Sequence, residues 1–162
     1  MKEDKYAEAA LNLAKALDIA ITVVQKFPPK GWNEHYVTEN KNEIDFTIDL
    51  CNERKENALN PKPQYRNMQS LKYKIDDVFT YFQEASGECV EQFWKEIKAQ
   101  NLPYKRENKL AKILKRKKIN NIHEFDFVID VIVPYQQEGF INEEEVVLLN
   151  KWLGEFENRK KK

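Results

Sequence analysis

Glycine and proline are scarce in this chain, with four and six respectively in 162 residues. That scarcity disfavours a turn-rich sandwich or barrel and favours helices. It also leaves no phosphate-cradling loop, because neither GxGxxG nor GxxxxGK followed by Ser or Thr occurs. There are two cysteines, Cys51 and Cys89, with no CxxC spacing, so buried reduced thiols are expected rather than a disulfide framework. The two histidines, His35 and His123, are too few and too far apart for a histidine-rich site. GxSxG is absent, and neither cysteine has a histidine close by in sequence, so no catalytic residue is assigned. No uncharged apolar run approaches the ~18 residues needed to span a bilayer. The opening MKEDKYAEAALNLAKALD carries acids where a signal core would be apolar. A cytoplasmic protein without membrane association is therefore expected, and no cofactor or metal is assigned.

What is present suits one helical domain over residues 1–162. The hydrophobic fraction is 41%, and three Trp, seven Tyr and nine Phe can fill a core. Charged residues reach 33%, above the usual share of about 25%, as expected when many helices each present a wet face. Residues 4–27 repeat Tyr6, Ala10, Leu13, Leu17, Ala20, Ile21 and Val24 at helical spacing, stopped by Pro28-Pro29 and Gly31. Residues 28–42 lack any period and read as an irregular loop, with Trp32 and Tyr36 pinning it to the core. Residues 43–58 are ambiguous. Ile44, Phe46, Ile48 and Leu50 alternate as in a strand, yet Ile44, Ile48 and Cys51 also share a helical stripe, and the helix is preferred.

From Gln64 the pattern is cleaner. Met68, Leu71, Ile75, Val78, Phe79 and Phe82 follow helical spacing, and Ser86-Gly87 interrupts before Cys89, Phe93, Trp94 and Ile97. Asn121-x-x-Glu124 and Asn142-x-x-Glu145 resemble capping boxes that open two further helices. The first should be the most buried element, ending at Gly139 and kinked or shortened by Pro134; the second carries Val146, Leu149, Trp152, Leu153 and Phe156. The fold is expected to be all-α, a bundle-like domain of six or seven helices. The alternative is α+β, with short strands at 43–50 and 124–133. Those two segments match at five of eight positions, 81 residues apart, a likeness read as shared helix chemistry rather than duplication.

Charge is sorted along the chain. Lys105–Lys118 holds eight bases against one acid, Glu107, whereas Ile119–Glu157 holds nine acids against one base, Lys151. The chain then closes on a basic tail at 158–162, expected to be disordered. A formal net charge of zero thus hides a strong local asymmetry. On a helix over 106–117, Arg106, Lys109, Lys112, Lys115 and Arg116 would project together, opposite Leu110, Ile113 and Leu114.

Three functions follow in order of preference. The first is a non-enzymatic interaction module, its basic helix engaging an unknown acidic protein partner or a second copy in a homo-oligomer. The second is nucleic-acid binding, the same five cations meeting phosphates while Trp94 or Tyr104 stacks on bases. The turn before the helix lacks a glycine, and no Asn, Gln or Arg row faces base edges. The third is a metal-dependent phosphohydrolase built from Asp45/Asp49 and Asp126/Asp130, pairs spaced four residues apart on helical faces. In the structural alternative these cations are a solvated face or pack against Glu143, Glu144 and Glu145.

Overall fold

The computed structural model describes residues 4–85 and 87–160, and these fold as an all-α protein. Seven α-helices occur among them, together with one two-stranded hairpin and a single 3₁₀ turn. The helices assemble as two compact units, one formed by residues 4–82 and 87–105, the other by residues 83–85 and 106–160.

In the first unit, helix α1 (Lys5–Lys26) is capped by Asp4, whose carboxylate accepts from Ala7 N at 3.1 Å. Ten of its residues are buried, among them Ala10, Ala14, Ala16 and Ala20, small side chains that admit close neighbours. Those neighbours are α2 (Glu43–Leu59) and α4 (Glu88–Ala99). The Tyr6 hydroxyl donates to Ala58 O at 2.9 Å, tying α1 to α2. The helical reading of 43–58 therefore holds and the strand alternative does not. Asn42 caps α2 by accepting from Asp45 N, and the strand-like alternation misleads because Phe46 lies 40% exposed while Cys51 is buried.

Residues 28–42 are less irregular than expected. Strands β1 (Tyr36–Thr38) and β2 (Lys41–Asn42) pair antiparallel, too short for periodicity to register. Trp32 packs on Tyr81 with ring centroids 5.2 Å apart, as a pinning residue should. Tyr36 is 59% exposed rather than tucked into a core. Helix α3 (Met68–Glu84) follows the 3₁₀ turn Pro63–Tyr65. With α4 it builds an aromatic core in which Phe82 stacks on Phe93 at 3.8 Å and Phe79 meets Phe93 at 5.7 Å. Asn101, at φ 54, ends α4 in a left-handed residue, and Leu102 N closes back on Ile97 O. Ser86 of the expected interruption lies outside the described residues.

The second unit is built by α5 (Ala111–Arg116), α6 (Ile122–Gln137) and α7 (Glu143–Lys160) around Leu110, Ile113, Val128, Val131, Tyr135 and Leu149. Both asparagine caps form. Asn142 and Glu145 exchange reciprocal bonds, Glu145 N to Asn142 Oδ1 at 2.8 Å and Asn142 N to Glu145 Oε1 at 3.0 Å. Asn121 caps Glu124 N, while the Glu124 carboxylate reaches Asn120 N. Helix α6 runs through Pro134 and ends at Gly139, whose φ of 77° needs a residue without Cβ.

Helix α6 is not the most buried element. Ile122, Ile129 and Val133 are exposed along one side, since α7 covers a single face of α6 whereas α1 is flanked by two helices. The basic tail is not irregular where it is described: α7 continues through Lys160. There Arg159 lies over the Phe156 ring and donates to Ile119 O at 2.6 Å. Residues 161 and 162 lie outside the described residues. No helix among the described residues is long and apolar enough to cross a membrane.

Candidate functional site

The basic helix expected over 106–117 is shorter, and its cations do not share one face. Only Ala111–Arg116 is helical. The preceding residues are drawn out of helical geometry by bonds that sequence periodicity does not reveal. Glu107 N donates to Gln83 Oε1 at 2.8 Å, and Asn108 accepts from Leu110 N while donating to Phe140 O. Such side-chain bonds to nearby backbone compete with a helical turn. Lys117 then adopts a left-handed conformation at φ 63, which ends the helix.

The Arg106 side chain is largely covered rather than part of an open face. It is 9% exposed, pairs with Glu138 at 3.2 Å, donates to Ala85 O, and lies 5.2 Å from the Phe140 ring centre. Its Nε is buried without an acceptor. Arg116 is likewise engaged, bonding the Glu124 carboxylate and Lys118 O. Lys109, Lys112 and Lys115 are exposed and have no carboxylate partner among the described residues. Lys117 and Lys118 join them, two positions that the expectation of one helical face left out.

The acidic start of α7 does not neutralise this cluster. Glu145 is occupied as a cap, and Glu143 and Glu144 are exposed and form no ion pair with the lysines among the described residues. A hollow of about 450 Å³ adjoins the cluster, walled by Lys117, Lys118, Trp152, Glu155 and Arg159.

Arginine is the consistent anchor of this fold, although Lys41 and Lys55 also pair with carboxylates. All five arginines are held: Arg54 by Asp77, Arg66 by Asp4, Arg106 by Glu138, Arg116 by Glu124, and Arg159 by a backbone carbonyl. The planar guanidinium suits fixed, forked bonding, whereas the ammonium is a strongly hydrated point charge on a flexible stem.

Trp94 and Tyr104, expected to stack on bases, belong to the aromatic core of the first unit. The Trp94 indole donates to Phe82 O at 2.8 Å, with its ring edge-on to Phe93. Tyr104 lies 4.6 Å from Phe79, and burial pushes its hydroxyl up to about 12. Burial likewise raises both thiols, Cys51 and Cys89, to about 11, which removes them as nucleophiles near neutrality.

Asp45 and Asp49 belong to the first unit, and Asp126 and Asp130 to the second. Asp49 is paired with Lys41, which raises the affinity of that lysine for its proton, and Asp45, Asp126 and Asp130 are exposed. Among the described residues no three histidine, cysteine or carboxylate groups cluster as ligands. His35 instead bonds Glu43 at 2.8 Å beside the hairpin, and His123 is exposed.

A second surface escaped the sequence reading. In the first unit, Lys62, Tyr65, Ser70, Tyr73, Lys74 and Asn57 line a cleft of about 500 Å³, with Pro61 at its edge. The signal for it exists in the sequence, since Pro61–Ile75 contains four bases, two tyrosines and no acid. No family model, no curated protein and no solved structure matches this chain.

Proposed function

We propose that the chain is a non-enzymatic interaction module that docks an acidic protein surface on Lys109, Lys112, Lys115, Lys117 and Lys118. One observation carries this reading: five exposed lysines lie within ten residues and none has a carboxylate partner among the described residues, although acids are plentiful in the same unit. Charges left open in this way steer an oppositely charged partner, and their pull weakens as salt screens them. The exposed acids Asp126, Asp130, Glu143 and Glu144 offer a second copy as one such partner. Both cysteines are buried and unpaired, which suits a reducing compartment, and the proposal places the protein in the cytoplasm.

Light scattering and pull-down across a salt series test the proposal. Association should be strong at low salt, fade towards high salt, and be lost in Lys112→Glu/Lys115→Glu. A chain that stays monomeric and captures nothing at low salt refutes it. Nucleic acid is the competing occupant of the same lysines. Against it stand the six-residue length of α5, too short to present a row of base-reading side chains, and the commitment of Trp94 and Tyr104 to a core. A mobility shift abolished by the same double substitution would move the assignment from protein to nucleic acid.

A further inference from the structure

We propose that the Tyr65–Tyr73 cleft of the first unit is a nucleotide site, with tyrosine rings to stack a base and lysines to meet its phosphate. The cleft's volume of about 500 Å³ falls within the range of small-molecule sites. Its lining combines two kinds of group, aromatic rings and ammonium groups. Tyr65 is 52% exposed and Tyr73 67% exposed, and neither ring packs against another aromatic ring among the described residues. Beside them stand Lys62 and Lys74, and no carboxylate lines the cleft. Asn57 and Ser70 add an amide and a hydroxyl able to meet the edge of a base.

The backbone that carries these groups is fixed before any ligand arrives. Tyr65 ends the 3₁₀ turn Pro63–Tyr65, where Pro61 and Pro63 fix the backbone. Tyr73 stands on α3, whose first turn is capped by Asn67 through Ser70 N at 2.9 Å and anchored by fully buried Leu71. The Lys74 ammonium donates to Asn57 O at 3.2 Å, which keeps it at the rim. Of the other two bases in Pro61–Ile75, Arg66 is tied to Asp4 and stacks over Tyr6, and Lys72 does not line the cleft. Rigid tyrosines with few rotatable bonds give contact area at little cost in ordering.

The chemistry of the occupant follows from using both sets of groups. A proline-rich peptide would fill the aromatic surface and leave the lysines idle, and an acidic peptide would do the reverse. A nucleotide offers a flat ring and an anion in one molecule, the pairing by which proteins hold single strands through stacking and cationic grooves. A free mononucleotide and a single-stranded nucleic acid share that chemistry.

The test uses the full chain carrying Lys112→Glu/Lys115→Glu, so that the lysine cluster around α5 contributes little. Calorimetry with ATP and fluorescence anisotropy with a short labelled uridine oligomer are compared at low salt. Binding of either probe is expected, with roughly tenfold or greater weakening in Tyr65→Ala and in Tyr73→Ala. Lys62→Glu/Lys74→Glu should weaken binding and flatten its salt dependence. Because both tyrosines are exposed, circular dichroism should report unchanged helicity in these variants. A preference for the oligomer assigns the site to single strands, and a preference for ATP assigns it to free nucleotides. The proposal is overturned if neither probe binds, if the tyrosine variants bind as well as the parent, or if tripolyphosphate binds as tightly as ATP.

Discussion

Two basic stretches, Pro61–Ile75 and Lys105–Lys118, have similar chemistry and opposite visibility. The second announces itself by sheer density of charge, with eight bases. The first holds four bases, and its helical spacing from Gln64 gives it the look of an ordinary helix. In both, the arginines lock the fold and lysines remain open to solvent: Arg66 binds Asp4, Arg106 binds Glu138, and Arg116 binds Glu124. What distinguishes them is the company the lysines keep. Around α5 the exposed neighbours are other lysines, which suits an extended acidic surface. Around the start of α3 they are tyrosines, which suits a compact aromatic anion. Counting charges separates neither proposal from the other; residue type within the charge count does.

The sharpest way to break this division is Arg106→Ala. It leaves Glu138, whose side chain is 17% exposed, without its partner, and removing one member of a buried pair costs about 3 kcal/mol or more. Urea unfolding should show that loss, and Arg106→Lys should recover little of it because lysine lacks the fork. A change under about 1 kcal/mol would mean that Arg106 is no anchor, and the contrast with the lysines would fail.

Next in size comes the response of the first unit to alkali. Burial raises Tyr81 and Tyr104 to about 12, and Cys51 and Cys89 to about 11. These groups keep their protons longer folded than unfolded. Their contribution is therefore complete below about pH 8.5 for the thiols and below about pH 10 for the phenols. It is lost as pH climbs through 11 and then 12. Unfolding midpoints should fall across that range, and the thiols should resist alkylation at pH 8 until denaturant is added. Midpoints that stay flat up to pH 12 would count against buried phenols.

Arg116→Ala should be milder, about 1 kcal/mol, because its pair with Glu124 is partly exposed. A mobile, unpaired Arg116 would instead give no measurable change. Smallest of all should be Lys112→Glu/Lys115→Glu, within about 0.5 kcal/mol per site, since both side chains are exposed and unpaired. If this pair destabilises the chain as much as Arg116→Ala does, the lysines are structural after all and the docking proposal loses its footing.

Much of the fold could be read before coordinates. Apolar residues every three or four positions marked α1, α3, α4 and α7, and asparagine three residues ahead of a glutamate marked two helix starts. Where the reading failed, the cause lay in partners distant along the chain. Residues 106–110 look helical by pattern, yet Gln83, Ala85, Glu138 and Phe140 bind them in another shape. Ile129 and Val133 look like core by composition, yet both are exposed on α6. Trp94 and Tyr104 had the right chemistry for stacking but pack inside the first unit. Of the five cations assigned to one face, Lys109, Lys112 and Lys115 are exposed, and the two arginines are withdrawn by carboxylates that no helical wheel displays.

Lys117 sits in a backbone shape that glycine would adopt without strain. Holding a side chain there costs about 1 kcal/mol, and glycine's greater freedom in the unfolded chain would return part of that gain. Position 117 can therefore trade its charge away almost without thermodynamic consequence. It is the natural place to ask how much a single ammonium group is worth to whatever settles on that side of the protein.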